Sequence, residues 1–345
     1  MSKNVTISFP GLGIEEFVVN KVAFSFSLFG KPVEVRWYGL IITFGIILAF
    51  IYAYARSKRE KIILDDLLDV TIFTVIFGVI GARTYYVLTT LGDGLYHSFY
   101  DVIAIWEGGL AIYGGIIAGF FTVLVVCKIK KINALKVYDL AAPAVMIGQI
   151  LGRWGNFFNG EAYGYVVEEG SPLYFLRMGL IPNINSSTKM YYFHPTFLYE
   201  SLWNLVGFII INICYRKKKF NGQILYMYFA WYGFGRMFIE GLRTDSLYVG
   251  PFRISQVVGF CCFVGGTVIL AYNFYKLHKE KLASAAYEAA YPQFKTETSE
   301  HSSAESAVTE TSEKQTTDIS ETSANPSDGA EGTNYGDGQD DSDNG

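Results

Sequence analysis

Seven apolar runs constrain this chain more than any other feature of its sequence. They lie near 37–55, 69–91, 108–128, 137–155, 197–214, 222–241 and 254–275. Most are close to the ~20 residues a helix needs to cross a hydrocarbon core about 30 Å thick. Inside lipid the backbone N–H and C=O groups must pair within the segment, so such runs fold as helices. The expected fold class is an all-α polytopic membrane protein with about seven transmembrane helices. The fourth run is the least apolar, because it ends in a polar, glycine-rich stretch.

The connecting loops orient the runs. Arg56, Lys58, Arg59 and Lys61 follow the first, and Lys128, Lys130, Lys131 and Lys136 follow the third. Arg216, Lys217, Lys218 and Lys219 follow the fifth, and Lys276, Lys279 and Lys281 follow the seventh. The other loops are poor in Lys and Arg. The positive-inside rule then places the C-terminus in the cytoplasm and the N-terminus outside. Lys3, Lys21, Lys31 and Arg36 argue the other way but are outweighed by the regular alternation.

Residues 1–36 are expected to form an extracytoplasmic segment. Val22, Phe24 and Phe26 alternate with small or polar residues before Gly30-Lys31-Pro32 and Val33, Val35, Trp37, the pattern of a surface hairpin. No basic region followed by an apolar stretch opens the chain, so a cleavable signal peptide is not expected. Residues 37–281 form the transmembrane domain, with 156–195 as its long extracytoplasmic loop. Residues 282–345 hold 14 Asp/Glu against 2 Lys/Arg, a net of −12, which leaves +8 on the rest of a chain whose total is −4. This Ser/Thr-rich segment cannot bury enough apolar surface to offset its ordering entropy, so an acidic, disordered cytoplasmic tail is expected. Within the long loop, Asn185-Ser186-Ser187 is a chance triplet.

Polar groups inside apolar runs are the candidate chemistry. The fourth run ends in Gly152-Arg153-Trp154-Gly155-Asn156-Phe157-Phe158-Asn159-Gly160-Glu161-Ala162-Tyr163-Gly164. An Arg within a span costs about 2.5–3.5 kcal/mol at the bilayer centre and less near an interface. A cation, two carboxamides and a carboxylate gathered at a membrane boundary therefore point to function. The competing explanation is a snorkelling Arg with Asn side chains that join helices. Arg83 lies in the second run. His194-Pro195 opens the fifth, as either a simple turn with Pro at the first helical position or a base near the interface.

Tyr232, Arg236, Glu240 and Arg243 stand at i, i+4, i+8 and i+11, on one helix face. They form either a self-neutralising ladder or an anion site whose arginines Glu240 holds. Guanidinium groups suit bidentate phosphate recognition, and a phospholipid headgroup is the anion met at that depth. An anion transporter would also gather Arg and Asn, but around the midplane and commonly with internal repeats. Here the clusters lie near one side and no repeat is evident. Cys127, Cys214, Cys261 and Cys262 sit in or beside apolar runs without metal spacing. They read as small apolar residues, so a reacting thiol would arrive with the substrate.

The Gly152–Gly164 stretch closely resembles the signature of the prolipoprotein diacylglyceryl transferase family, roughly Gly-Arg-x-Gly-Asn-Phe-x-Asn-x-Glu-x-x-Gly. Gly152, Arg153, Gly155, Asn156, Phe157, Asn159, Glu161 and Gly164 carry the match. Further family-like elements follow in order: Arg36-Trp37-Tyr38-Gly39, Gly81-Ala82-Arg83, and His194-Pro195 with Leu198, Tyr199 and Glu200. The last is Tyr232-Gly233 with Arg236, Glu240 and Arg243, where Met237 replaces a Phe. The resemblance runs from about Val22 to Lys281 and leaves out the tail. One departure stands out. Many members carry His where this chain has Tyr113, and that His is a candidate general base. A phenol with a reference pKa of about 10 is a poor base at neutral pH.

The resemblance implies a bacterial cytoplasmic-membrane enzyme of lipoprotein biosynthesis. Such an enzyme moves the diacylglyceryl group of phosphatidylglycerol to the lipobox cysteine of a preprolipoprotein signal peptide. It implies phosphate binding by Arg153 and Arg236, with Asn156, Asn159, Tyr38 and Arg83 orienting the lipid headgroup. Glu161, Gly164, Tyr232, Glu240 and Arg243 are supporting residues. The base stays open between His194, Tyr113 and a thiolate favoured by nearby positive charge. No metal or cofactor is expected. The expected partners are phosphatidylglycerol, the precursor peptide and the bilayer, and not nucleic acid.

Overall fold

The computed structural model describes residues 4–28, 30–181 and 189–290. The Asn185-Ser186-Ser187 triplet and the tail beyond Ala290 lie outside the described residues. The chain divides into two units, Met1–Phe274 and Tyr275–Gly345.

The fold is mostly helical. The helices are α1 (Trp37–Glu60), α2 (Leu64–Thr90), the short α3 (Phe99–Ile103), α4 (Ile112–Lys130) and α5 (Ala134–Asn159). They continue with α6 (Thr196–Tyr215), α7 (Gln223–Ile239) and α8 (Ile254–Ala290). Among the described residues, five helices are long and apolar enough to cross a membrane: α1, α4, α5, α6 and the stretch Ile254–Ala286 of α8. The other two expected spans are also helices, α2 with 27 residues and α7 with 17. Phe44, Ile47, Ile76, Ile116 and Phe121 are exposed on α1, α2 and α4. Such a continuous apolar surface suits hydrocarbon rather than water.

Two helical hairpins share one turn design. α1 ends at Lys61 (φ 58°) and α4 at Lys131 (φ 57°), both left-handed. In each, the following isoleucine N–H reaches back into the helix, Ile62 to Ser57 O at 3.0 Å and Ile132 to Cys127 O at 2.9 Å. This closing pattern satisfies helix-end carbonyls, and the lysines there complement the negative end of the helix dipole. α1 packs on α5 and α2 on α4. α2 and α4 touch backbone to backbone at Gly81 and Gly114, where an added Cβ on Gly114 would collide with the Gly81 carbonyl.

At the basic end, Lys218 joins Glu60 and, at 3.2 Å, Asp139. Asp139 also accepts from the N–H groups of Gly222 (2.7 Å) and Leu225 (3.0 Å). These contacts fasten the α6–α7 turn to α1 and α5.

The opposite end corrects the all-α expectation. A four-stranded antiparallel sheet, in the order β2 (Ile14–Asn20), β1 (Asn4–Phe9), β5 (Met178–Leu180), β6 (Tyr191–Phe193), caps the helices. The expected hairpin is present as β3 (Val22–Leu28) and β4 (Lys31–Arg36), turning at Gly30 (φ +77°). A third small hairpin pairs β7 (Tyr248–Val249) with β8 (Phe252–Arg253). The strands β5 to β8, of two or three residues each, carry too little periodicity to be read from sequence. Ile7, Phe9, Met178, Leu180 and Phe193 form the core of this cap, which continues through Phe157 and Phe197 into α5 and α6.

Candidate functional site

Beneath that cap, three helix ends bring their charged side chains together. Glu200, in the second turn of α6, is 2 % exposed. Its Oε1 accepts from Arg153 Nη2 of α5 at 2.7 Å, and its Oε2 accepts from Arg236 Nη1 of α7 at 2.9 Å. Arg243 Nη1 stands 3.8 Å from the same Oε2. Glu240 follows α7 in a single 3-10 turn, with its Oε2 2.7 Å from Arg236 Nη2 and 3.9 Å from Arg243 Nε. Arg243 donates twice to Asp245, at 2.9 and 2.7 Å. The Arg–Glu–Arg face thus forms a ladder, and Glu200 joins it to Arg153 of α5. Burial alone would raise the Asp245 carboxyl, but its bonds to Arg243 hold it below the usual range.

Arg153 has the most accessible side chain of the three arginines, at 19 % against 14 % and 10 %. Its Nη1 donates to Asn156 Oδ1 at 3.2 Å. Glu161 Oε1 accepts from both Asn156 Nδ2 and Asn159 Nδ2, each at 3.0 Å. A carboxylate only accepts, so these bonds fix which way both amides face. Asn159 Oδ1 is left buried without a partner among the described residues. Gly160 ends α5 in the left-handed region (φ 61°), turning the chain so that Glu161 folds back over the two amides.

Tyr38, at the start of α1, lies on Gly155 of α5, where an added Cβ would come within 2.8 Å of its ring. Tyr113 joins the cluster through Ser255: its hydroxyl is 2.6 Å from Ser255 Oγ, which Arg236 Nη2 approaches at 3.5 Å. Tyr232 stacks on Tyr228 with ring centres 5.5 Å apart.

Two expected site residues stand apart. The Arg83 guanidinium donates to the carbonyls of Asp101 (2.6 Å), Val102 (2.9 Å), Gly108 (2.7 Å) and Gly109 (2.9 Å). It therefore shapes the loop that leads into α4. His194 is in extended chain beside Gly164 and Tyr165, and its ring meets the Tyr199 hydroxyl at 3.3 Å. Burial pushes its pKa down from the ordinary 6.5, so the ring is neutral at neutral pH. An apolar cavity of about 470 Å³ between α1, α2, α4 and α5 reaches Gln149, one turn before Arg153.

Known proteins resemble this chain in sequence over most of its length. The family model described as prolipoprotein diacylglyceryl transferase matches residues 23–272. The chain belongs to the prolipoprotein diacylglyceryl transferase family. It is 43 % identical over 257 residues to the phosphatidylglycerol–prolipoprotein diacylglyceryl transferase 1 of Clostridium perfringens, covering 73 % of this chain and 94 % of that one. The corresponding Streptococcus pneumoniae enzyme is 44 % identical over 248 residues, 70 % of this chain and 91 % of its own. That of Streptococcus equi subsp. zooepidemicus is 40 % identical over 269 residues, 76 % and 97 %.

Within this diacylglyceryl transferase family fold, sequence reasoning left three site-lining groups out of the candidate set. Glu200 was visible as a carboxylate one turn into an apolar run, the signal that marks Arg153 equally well. Asp245 and Ser255 gave no such signal, since a polar residue at the end of a span is ordinary. Their importance comes from contacts with Arg243 and Tyr113.

Proposed function

We propose that this chain transfers the diacylglyceryl group of phosphatidylglycerol to the lipobox cysteine of a preprolipoprotein, the first step of lipoprotein maturation. The cysteine sulfur attacks the glycerol carbon that bears the phosphate. The carbon–oxygen bond breaks, glycerol phosphate leaves with the electron pair, and a thioether remains. The observation that carries this reading is Arg153. It is the most open of three clustered arginines, it is clamped by Glu200 and Asn156, and an apolar cavity begins one turn away. Preorganised guanidinium groups stabilise charge that grows on a departing phosphate without reorganising at that moment.

Arg153 and Arg236 bind the phosphate in this scheme. Asn156, Asn159 and Tyr38 orient the headgroup. Glu161, Glu240, Arg243, Tyr232 and Gly164 keep these groups in place, and Arg83 acts through the loop it holds. His194 and Tyr113 are the candidates for handling the thiol proton, and the acyl chains lie in the apolar cavity. No metal or cofactor takes part.

The chain crosses the bacterial cytoplasmic membrane seven times, α2 and α7 included, as one transmembrane domain over 37–281. Its N-terminal segment 1–36 and the 156–195 loop lie outside, with β3–β4 on the membrane surface, and the tail 282–345 lies in the cytoplasm. The alternation of basic and neutral loops supports this orientation.

The test is direct. Purified protein in phosphatidylglycerol micelles is given a lipobox peptide in Cys and Ser forms. A diacylglyceryl mass gain on the Cys peptide alone, with release of glycerol phosphate, is the expected result. Arg153→Ala lowers the rate by about 10²–10³-fold, the usual cost of losing one charge-stabilising donor. No mass gain from folded wild-type protein would overturn the reading.

A further inference from the structure

Tyr113 is the residue on which the transferase reading is least complete, because a phenol is a poor base at neutral pH. Its surroundings give it a different part. Tyr113 lies in the first turn of α4 and Ser255 in the first turn of α8. Their hydroxyl oxygens are 2.6 Å apart, and Arg236 Nη2 is 3.5 Å from Ser255 Oγ.

Both partners are held firmly. The Ala111 N–H donates to Ala82 O at 3.0 Å, fixing the start of α4 on α2. The Ile254 N–H donates to Leu247 O at 3.0 Å, and Gln256 Nε2 donates to Met237 O at 2.8 Å, fixing the start of α8 on the end of α7. Ser255 is buried, whereas Tyr113 is only half-buried.

The hydrogen bond between the two hydroxyls can run either way, so an anion beside the phenol selects the direction. A guanidinium only donates, so Ser255 Oγ accepts from Arg236. A hydroxyl that accepts from a cation becomes a better donor, because hydrogen bonds in a chain polarise one another. With an anion beside the phenol, the Ser255 proton is given to the Tyr113 oxygen and the phenolic proton is free for the anion. We propose that Ser255 is a positioning residue that presents the Tyr113 hydroxyl as a hydrogen-bond donor to the phosphate held by the arginines. Tyr113 then donates a hydrogen bond to the leaving group, and His194 is left as the candidate that takes the thiol proton. This inference rests on the transferase reading and deepens it.

The experiment compares wild type, Ser255→Ala, Ser255→Thr, Tyr113→Phe and the double variant Ser255→Ala/Tyr113→Phe in the full chain. Each is assayed with phosphatidylglycerol and the Cys peptide, after a thermal melt shows that it is folded. Ser255→Ala is expected to lower kcat about 2–10-fold, the scale of one hydrogen bond, with little change in KM for the peptide. Ser255→Thr restores the rate, and Ser255→Ala has no further effect when Tyr113 is already Phe. Equal losses in both backgrounds, a wild-type rate in Ser255→Ala, or no rescue by Thr would overturn the proposal. Glycerol phosphate binding by the same variants gives a readout that needs no turnover. Ser255→Ala, Tyr113→Phe and the double variant should weaken it by a common factor, and independent or absent effects would again overturn the proposal. A wild-type protein that binds glycerol phosphate in this pattern but transfers nothing would overturn the transferase reading alone.

Discussion

Glu200 is held by cations from two helices and faced by a third beyond them: Arg153 on α5, Arg236 on α7 and Arg243 after it. Glutamine keeps the shape of this side chain but removes its charge. Glu200→Gln would leave two buried guanidinium groups facing one another, and losing one partner of a buried pair costs about 3–5 kcal/mol. Asp245 is the comparison, since its side chain is 48 % exposed and water compensates much of what is lost. Asp245→Asn should cost less than about 1 kcal/mol. Thermal melts in detergent would rank the two, and equal shifts would contradict the account of Glu200 as the centre of the cluster. His194 supplies a pH dependence. Its pKa is depressed by burial, so on acidification the unfolded chain takes up the proton first. Stability is therefore complete above pH of about 6.5 and falls as the pH drops through and below that value. Melts of wild type and His194→Gln between neutral and mildly acid pH should converge toward acid, and parallel profiles would remove His194 as a source.

At the scale of elements, the strand-like crossing at Gly164 joins three distant segments. The Gly164 N–H donates to His194 O at 2.9 Å, the Tyr165 N–H donates to Leu242 O at 2.8 Å, and Gly164 pairs with Arg243. A Cβ there would stand 2.7 Å from His194 Cβ and 2.8 Å from Leu242 O, so the neighbouring backbone would have to move. Gly164→Ala should cost about 1–3 kcal/mol as overpacking and should slow transfer by displacing Arg243. Gly148 on α5 has open space around the same position. Gly148→Ala should leave the melting temperature unchanged or raised, because alanine favours helix. Similar losses from both would show that helix geometry, not the crossing, sets the cost. The two lysine-capped hairpins belong to this scale as well, since they fix which ends of α1, α2, α4 and α5 carry the positive charge.

For the whole molecule, the legible parts were those whose signal is local. A run of apolar residues needs no partner to declare a helix, because lipid forces the backbone to pair within the segment. Five membrane-length helices, the β3–β4 hairpin and the grouping of Arg153, Asn156, Asn159 and Glu161 were all readable in this way. So was family membership, which rests on the spacing of motifs along the chain. The joining of β1 to β5 was not readable, because the partner lies some 170 residues later and the pairing is only a few residues long, and the local β1–β2 hairpin was missed in a stretch without clear alternation. Nor was the centre of the site. Glu200 meets residues 47 and 36 positions away, and Tyr113 meets Ser255 at 142. Sequence by itself determined which segments are helices, which ends are basic and which residues can bear charge. These depend on each residue and its neighbours within a few turns. Only the tertiary structure decided which faces meet, because that depends on the close α2–α4 contact at Gly81 and Gly114 and on the capping turns that set where each helix begins and ends.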